Sequence, residues 1–201
     1  MILAFDGSSI DGSAYTDVVG LAQRSPSWLD GVISAWSTYG LAVFAVLIVA
    51  AWWRARRQNT SVAVRALAAP AIVLVAYGVD YAIKLIVRED RPCQSLRITT
   101  LEACPGPGDW SFPSNHAALA TAAAVALYFV SRRLGAVALV AAAALAASRV
   151  WVGVHYPHDV VAGVAVGGLV ALAMVALVRR VPETVTVRLT ATRLRPLLVA
   201  S

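Results

Sequence analysis

The sequence predicts an all-α integral membrane protein, a bundle of about five transmembrane helices with an interfacial amphipathic segment at its N-terminus. Apolar residues make up 59% of the 201 residues and charged residues only 14%, which is less charge than soluble domains carry. Five apolar stretches approach or exceed the length needed to cross a hydrocarbon core of roughly 30 Å. Most arginines lie at one set of ends of these stretches, as the positive-inside rule describes.

The five predicted spans follow one another with short connections. They cover Val32 to Trp53, Ala63 to Val87, Ala117 to Val130, Leu134 to Val152 and Val160 to Val178. The third span is short by count, and small residues dominate the third and fourth, which favours close helix packing. Gly163 and Gly167, four residues apart in the fifth span, indicate packing within the molecule in preference to a dimer face.

The two ends of the chain are predicted to lie outside the spans. Residues 1–31 are interpreted as one or two amphipathic helices in the outer leaflet. They include Asp6 and Asp11 and lack the basic start of a secretory signal, so we expect them to be retained. Residues 32–180 are predicted to form the transmembrane domain. Residues 181–201 are too polar to span a membrane and are predicted to form a cytoplasmic tail.

The distribution of positive charge predicts the orientation. Arginines occupy positions 54, 56, 57, 65, 132, 133, 179, 180, 188, 193 and 195 on one side of the predicted bundle. By the positive-inside rule this side is cytoplasmic, and the other side faces outward. The net charge of +6 then reflects topology and phosphate chemistry, and no nucleic-acid partner is needed to explain it.

Three fragments carry most of the ionisable groups of the outward side. They are Lys84 to Pro92 (KLIVREDRP), Pro113 to His116 (PSNH) and Ser148 to Asp159 (SRVWVGVHYPHD). Together they place lysine, arginine, serine, histidine and aspartate side chains at the ends of hydrophobic helices. Ionisable residues at such positions indicate a functional site, and these residue types are suited to holding and cleaving a phosphate.

The first fragment supplies two cations for one anion. Lys84 ends the second span, and Asp80 precedes it by four residues, the spacing at which an acid and a base meet on one helical face. Asp80 is predicted to hold the lysine, either for function or as a structural ion pair. Arg91 lies about two turns beyond Lys84 if the helix continues, and Pro92 then ends the helix. Arg88 is expected to extend to the membrane interface.

The second fragment predicts the start of a helix. Pro113 and Ser114 immediately precede the helical pattern that begins at Ala117. The free backbone N–H groups and the positive end of the helix dipole make such a start an anion site. His116 then lies beside the anion, where it can donate a proton to a leaving oxygen.

The third fragment predicts an oriented histidine. Ser148 and Arg149 close the fourth span, and Asp159 follows His155 by four residues at the start of the fifth helix. The Asp159 carboxylate can accept the Nδ1 proton of His155, which leaves Nε2 free to act as a nucleophile or a base. His158 points in a different direction along the helix and is predicted to be interfacial.

These fragments resemble the three signature motifs of the type 2 phosphatidic acid phosphatase superfamily, which read KxxxxxxRP, PSGH and SRxxxxxHxxxD. The matching residues are Lys84, Arg91, Pro92, Pro113, Ser114, His116, Ser148, Arg149, His155 and Asp159. Asn115 stands where glycine is usual in the family, and its side chain can narrow the phosphate cradle or add a hydrogen bond to it. The likeness runs from Asp80 to about Val178, and the N-terminal part is similar in layout to bacterial undecaprenyl diphosphate phosphatases of the bacitracin-resistance type.

The resemblance implies a metal-independent lipid phosphatase with no cofactor. His155 would form a phosphohistidine, Asp159 would orient it, and His116 would protonate the leaving oxygen. The residues that would bind phosphate are Lys84, Arg91, Ser114, Asn115 and Arg149, with Asp80 and Ser148 in supporting positions. The expected substrate is a lipid phosphate or diphosphate in the bacterial plasma membrane, above all undecaprenyl diphosphate at the outer face. Phosphatidylglycerol phosphate and phosphatidate are the alternatives.

Two other functions and one other site remain open at this point. A vanadate-binding haloperoxidase has a similar pocket, but five spans argue against a soluble enzyme. A transporter with an anion site would distribute its charges through the membrane depth. A zinc site built from His116, His155, His158 and Asp159 is the competing constellation, although it leaves the helix start and the arginines unexplained.

Cys93 and Cys104 are the two cysteines of the chain, and both fall between the first and second motifs. If this loop lies outside the cell, oxidation is permitted. A disulfide is favoured over two free thiols, and closing a loop of this length would contribute roughly 3 kcal/mol of stability in the chain-entropy model.

Overall fold

The computed structural model describes residues 5–182, 184, 188, 191–192 and 195–199. Within these residues the regular structure is helical, apart from one isolated bridge between Phe5 and Glu89. The helices are α1 (Ser8–Gln23), α2 (Ser27–Ala55), α3 (Thr60–Val87), α4 (Pro92–Ser95), α5 (Asn115–Val130), α6 (Arg132–Trp151), α7 (Pro157–Arg179) and α8 (Arg195–Leu198). The predicted all-α fold class is confirmed.

Four of the five predicted spans are long and apolar enough to cross a membrane. In the described part of the chain these are α2, α3, α6 and α7. Helix α5 has 16 residues, about 24 Å at 1.5 Å per residue, which is less than the roughly 30 Å of a hydrocarbon core. The shortness of this span was visible in the sequence.

Helix α5 lies at the centre of the bundle. It contacts α2, α3, α6 and α7, and its buried residues are mostly alanines. Small side chains let the surrounding backbones approach closely. Because α5 is enclosed by protein, its length is set by its neighbours instead of by the bilayer.

Helices α7 and α5 approach each other closely. A Cβ atom on Gly163 would lie 2.5 Å from the carbonyl oxygen of Ser114, and one on Gly167 would lie 2.2 Å from that of Ala118. The two glycines therefore serve packing within the molecule, which confirms that interpretation of the pair. This contact fixes the second turn of α7 beside the first turn of α5.

The five long helices alternate in direction, so the bundle has two distinct ends. At the end that we call the site end, α3 and α6 finish while α5 and α7 begin. At the opposite end, called the arginine end, lie Arg54, Arg132 and Arg179. The three motifs therefore gather at a single end of the bundle.

The N-terminal segment is more closely integrated than an interfacial helix. Helix α1 contacts α4, α6 and α7 at the site end, and Tyr15, Val19 and Ala22 on it are buried. The Tyr15 hydroxyl donates a hydrogen bond to the carbonyl oxygen of Gly153, 2.8 Å away. Helix α2 begins at Ser27, five residues before the predicted start of the first span.

Part of the predicted tail packs on the arginine end. The indole N–H of Trp52 donates to the carbonyl oxygen of Leu197 at 2.8 Å, and Arg56 donates to that of Pro196 at 2.9 Å. Leu198 is buried against α2 and α3. Of the predicted tail, residues 183, 185–187, 189–190, 193–194 and 200–201 lie outside the described residues.

The contact between α5 and α7 predicts different effects of the same substitution at adjacent glycines. Gly167→Ala should lower the free energy of unfolding by about 1–3 kcal/mol, because the added methyl group meets the α5 backbone. At Gly168 the nearest atom to an added Cβ is Thr121 Cγ2 at 3.7 Å, so Gly168→Ala should be neutral or stabilising. Thermal unfolding in detergent measures both, and equal effects would contradict this packing.

Candidate active site

The three motifs converge at the site end of the bundle. Lys84 lies in the last turn of α3, and Arg91 directly precedes α4. Helix α3 ends at Val87, and Arg88 adopts a left-handed conformation, so the predicted continuous helix from Lys84 to Arg91 does not form. The reversal brings Arg91 back over the bundle. Arg88 donates to its own helix, from Nε to the carbonyl oxygen of Leu85 at 2.8 Å, and takes no part in the site.

His155 is buried and held in a defined orientation. Its side chain is 2% exposed, and its Nδ1 lies 3.3 Å from Asp159 Oδ2. Its Nε2 lies 2.8 Å from an Nη1 donor of Arg91. Since a guanidinium can only donate, Nε2 carries the lone pair and the ring proton is on Nδ1. This is the tautomer that the spacing of His155 and Asp159 predicts.

The charge state of His155 follows from its surroundings. Burial disfavours the imidazolium, and Arg91, Lys84 and Arg149 add electrostatic repulsion. Together they hold the pKa of His155 well below its usual value. The ring is therefore neutral at physiological pH, as a nucleophile must be.

The Asp159 carboxylate has two partners besides His155. The hydroxyl of Ser111 donates to Oδ2 at 2.5 Å, and the backbone N–H of Tyr156 donates to the same oxygen at 2.8 Å. Ser111 could not be predicted, because a serine in a loop between motifs carries no distinguishing signal. Three contacts on one oxygen leave the carboxylate little freedom to rotate.

Arg91 is anchored by three acceptors. Its Nε donates to the carbonyl oxygen of Asp109 at 3.0 Å, and its Nη2 pairs with the Asp109 carboxylate at 2.8 Å. Its Nη1 donates to the carbonyl oxygen of Val154 at 2.9 Å. The guanidinium is thus fixed directly over the lone pair of His155.

Lys84 is held by backbone carbonyls and not by Asp80. Its Nζ donates to Trp110 at 2.7 Å and to Ser111 at 3.1 Å. Among the described residues neither oxygen of the buried Asp80 has a hydrogen-bond partner, so the predicted direct contact is absent. An ammonium has three donors, and two are used, which leaves one for an anion.

Arg149 occupies the opposite side of the site. Its guanidinium donates to the hydroxyl of Ser37 in α2 and to Glu102 Oε2 at 3.3 Å. Neither partner was identified from the sequence. Ser148, predicted to support the site, instead donates its hydroxyl to the carbonyl oxygen of Leu145 in its own helix, at 2.7 Å.

The start of α5 presents two unpaired side-chain oxygens. Ser114 caps the helix without a side-chain capping bond. Its Oγ and the Oδ1 of Asn115 are buried and have no hydrogen-bond partner in the described chain. His116 follows in the first turn, half-buried and close to Arg149, Arg91 and Lys84. Three cationic side chains thus lie near a helix start, and that combination suits a phosphate.

His158 is not interfacial, contrary to the prediction. Its Nδ1 lies 2.7 Å from Asp11 Oδ1, its Nε2 lies 2.9 Å from Glu89 Oε1, and its backbone N–H donates to Asp11 Oδ2 at 2.7 Å. The helical-face argument did not include α1, which packs against α7.

The alternative zinc constellation is not assembled. Among the described residues, the metal-ligating atoms that converge belong to Glu89, His158 and Asp159, all within 4.8 Å of one another. His116 and His155 are not part of this group.

The loop that carries Glu102 begins and ends near the two cysteines. Cys93 and Cys104 lie 11 residues apart in sequence and are joined in the structure. Gln94 donates from Nε2 to the carbonyl oxygen of Pro105 at 2.7 Å. The loop is thus held at its base, beside Arg91.

Comparison with known proteins identifies the family. Residues 65–183 match the PAP2 superfamily, which is more than half of the chain. The chain belongs to the PAP2 superfamily. This confirms the resemblance drawn from the three motifs, and it makes the chain a multi-pass member of a family of membrane phosphatases.

Two curated relatives and one crystal structure resemble this PAP2 protein. It is 30% identical over 140 residues to undecaprenyl-diphosphatase BcrC of Bacillus subtilis, covering 70% of each chain. It is 36% identical over 132 residues to decaprenylphosphoryl-5-phosphoribose phosphatase of Mycobacterium tuberculosis, covering 65% of this chain and 67% of the relative. The PAP2 type phosphatidylglycerolphosphate phosphatase of B. subtilis superposes with a TM-score of 0.57 over 86% of this chain and 88% of that one, at 19% identity, which shows the fold alone.

Proposed function

We propose that this PAP2 protein dephosphorylates undecaprenyl diphosphate to undecaprenyl phosphate through a phosphohistidine on His155. The observation that carries the proposal is the lone pair of His155 Nε2, which faces a cluster of three cations and a helix start. A nucleophile, its orienting carboxylate and an anion cradle are thereby combined in one place.

The first step is transfer of the terminal phosphoryl group to His155. Arg91 Nη1 leaves Nε2 for a phosphate oxygen, and the Nε2 lone pair attacks phosphorus. As the N–P bond forms, the bond to the bridging oxygen breaks, and His116 supplies a proton to the departing lipid phosphate. Asp159 stabilises the positive charge that develops on His155.

The second step returns the enzyme to its starting state. Water attacks the phosphohistidine, and His116, now neutral, accepts a proton from it. The N–P bond breaks, inorganic phosphate leaves, and the electron pair returns to Nε2. Lys84, Arg91 and Arg149 hold the equatorial oxygens in both steps, and fixed positive charge at those oxygens is the role that a metal ion has in other phosphoryl-transfer sites. We therefore propose a metal-independent reaction.

A long apolar tail is supported by a groove between α2 and α6. It has a volume of about 770 Å³ and is lined by apolar side chains, including Trp36 and Val140. Ser148, which also lines it, directly precedes Arg149. A lipid in this groove therefore has its head group beside a phosphate-binding cation. Two of the relatives named above are named for polyprenyl substrates, which favours such a tail over two acyl chains.

We propose that the site end faces outward. The support is the accumulation of arginines at the opposite end, which the positive-inside rule assigns to the cytoplasm. Undecaprenyl diphosphate that is recycled at the outer face of the membrane would reach the site from the lipid, with its phosphates at the level of the helix ends.

Sidedness and the disulfide can be tested together. A cysteine introduced at position 56 in a Cys93→Ser/Cys104→Ser background should resist an impermeant thiol reagent in intact cells and react after permeabilisation. The unreduced wild type should yield the peptide that joins Cys93 to Cys104. Labelling of position 56 in intact cells would refute the orientation, and two free thiols in protein protected from reduction would refute the disulfide.

Variants of the two histidines should separate nucleophile from acid. His155→Ala should abolish phosphate release from every substrate, because no nucleophile remains. His116→Ala should impair phosphatidate hydrolysis more than undecaprenyl diphosphate hydrolysis, because a lipid phosphate leaves more readily than an alkoxide.

Arg149→Lys should lower kcat/KM by about 100-fold, since one fixed two-pronged contact becomes a point charge.

The measurement is phosphate release from undecaprenyl diphosphate, phosphatidylglycerol phosphate and phosphatidate in the presence of EDTA. Arg97→Lys serves as the matched control, because Arg97 is outside the motifs and makes none of the site contacts described above. Preference of the wild type for a glycerophospholipid would reject the proposed substrate and retain the phosphatase. Loss of activity in EDTA, restored by magnesium or zinc, would reject the metal-independent reaction.

The acid limb of the kcat/KM pH profile should lie at a lower pH than an ordinary histidine would give. The pKa of His155 is held well below 6.5 by burial and by the neighbouring cations, so the ring stays neutral as the pH falls through 6.5. Nucleophile protonation should therefore reduce the rate only at a pH well below 6.5. The substrate's own ionisation, followed by 31P NMR, is the control. A His155 ring that titrates near 6.5, followed by 15N NMR, would contradict this assignment.

A further inference from the structure

A second cluster of ionisable groups lies behind the proposed catalytic pair. His158 is enclosed by Asp11 from α1, Glu89 from the segment after α3, and Asp159 in its own helix. The contact distances are 2.7 Å to Asp11, 2.9 Å to Glu89 and 3.5 Å to Asp159 Oδ1. The proposed mechanism does not use Asp11, Glu89 or His158.

While Asp11 and Glu89 are both ionised, the geometry requires a charged His158. A neutral imidazole has one N–H and one lone pair, so it can donate to only one of two carboxylates. Asp11 faces Nδ1 and Glu89 faces Nε2, both at hydrogen-bond distance. Only the imidazolium donates to both. The ring also stacks on Tyr156, with centroids 5.3 Å apart, which restrains its plane.

The charge of His158 has a direct consequence for Asp159. Glu89 is 1% exposed and Asp159 is fully buried, and two carboxylates near each other in such a place cannot both remain ionised without a cation between them. Oδ2 of Asp159 is occupied by Ser111, Tyr156 and His155, whereas Oδ1 has no hydrogen-bond partner in the described chain and faces His158. His158 is the cation that the pair shares.

Asp11 brings the N-terminal helix into this arrangement. Its carboxylate accepts from both the ring and the backbone N–H of His158. The chain before α1 is held in place as well, by two backbone hydrogen bonds to the segment after α3. The Phe5 N–H donates to the carbonyl oxygen of Arg88 at 3.2 Å, and the Asp90 N–H donates to the carbonyl oxygen of Phe5 at 2.9 Å. Asp11 lies outside residues 65–183, the part that matches the family.

We propose that His158 is a positioning residue that keeps Asp159 ionised and aligned with His155, and that Asp11 makes α1 part of the catalytic unit. The inference rests on the proposed function, since it assigns these residues to the same reaction. Neither residue touches the substrate phosphate in this arrangement. Both act through Asp159.

The charged groups around the Asp159 carboxylate determine the pH at which Asp159 is protonated. Those that face Asp159 are Lys84 from α3, Glu89, His155 and His158. His158 faces Asp11, Glu89 and Asp159. Replacing the imidazolium by a neutral group leaves Glu89 directly opposed to Asp159, and repulsion then favours protonation of Asp159.

The first test compares pH profiles of single and double variants on undecaprenyl diphosphate. His158→Gln should lower kcat by about tenfold or more and should move the acid limb to higher pH. Adding Glu89→Gln to it should move the limb back, because the opposing carboxylate is gone. Asp11→Asn, which keeps an acceptor for the backbone N–H, should change kcat in the same direction with little change in KM.

Asp17→Asn is the matched control, since Asp17 lies exposed on the same helix and loses the same charge. A His158→Gln protein with the wild-type pH profile, or an Asp11→Asn protein equal to the Asp17→Asn control, would overturn the proposal. A purely structural role would reduce the amount of folded enzyme and leave the profile of the remaining enzyme unchanged, which also counts against it.

The second test needs no active variant. The chain has three histidines, so 15N NMR of histidine-labelled wild type resolves their protonation states, and His158 is identified as the signal missing from His158→Gln. Both of its ring nitrogens should show imidazolium shifts at neutral pH. A neutral His158, or a stoichiometric bound metal in its place, would overturn the proposal. A charged His158 in a wild type without phosphatase activity would instead reject the proposed function and leave the charge assignment standing.

Discussion

The burial of Asp159 is the constraint on which the site depends. A carboxylate without solvent is tolerated only where donors meet its lone pairs. Its Oδ2 accepts from Ser111 and Tyr156, and its backbone carbonyl accepts from the N–H of Ser114 at 3.0 Å. The loop before α5, the cap of α5 and the first turn of α7 are therefore assembled around one residue. The orientation of His155 follows from that assembly.

The cations of the site repel one another, and the chain balances them with groups that a phosphate can displace. Lys84 rests on two backbone carbonyls, while Arg91 and Arg149 are paired with Asp109 and Glu102. The Asp109 side chain is 57% exposed, so solvent screens its attraction to Arg91. A dianionic phosphate offers more charge and a better geometry than such a partner. In the proposed mechanism, phosphate binding would replace these contacts without unfolding any helix.

The helices and the proposed catalytic pair could be predicted from the sequence because both depend on short-range patterns. Hydropathy located the spans, and the spacing of His155 and Asp159 on neighbouring turns determined their contact. By contrast, Ser37, Glu102 and Ser111 reach the site from distant parts of the chain, and no local periodicity distinguishes them.

The surroundings of Lys84 and of His158 were predicted wrongly for the same reason. Four-residue spacing places Asp80 and Lys84 on one face of α3, but it cannot indicate that the Trp110 and Ser111 carbonyls lie within reach of Nζ. Likewise, the helical position of His158 was correct, but its surroundings were not, because only the tertiary structure shows that α1 covers that face. Local geometry determines which way a side chain leaves the backbone, and packing determines what it meets.

The membrane explains why this chemistry lies at helix ends. Within the hydrocarbon core every backbone N–H must be bonded inside its own helix, so free N–H groups for a phosphate occur only where a helix begins. Helix α5 begins at Asn115, and the enclosing helices α3, α6 and α7 bring Lys84, Arg149 and Asp159 to the same level. A substrate whose tail stays among the helices and whose phosphate reaches their ends matches this division of apolar and polar surface. The short central helix therefore serves the site, because it brings its free N-terminus in among the ends of its longer neighbours.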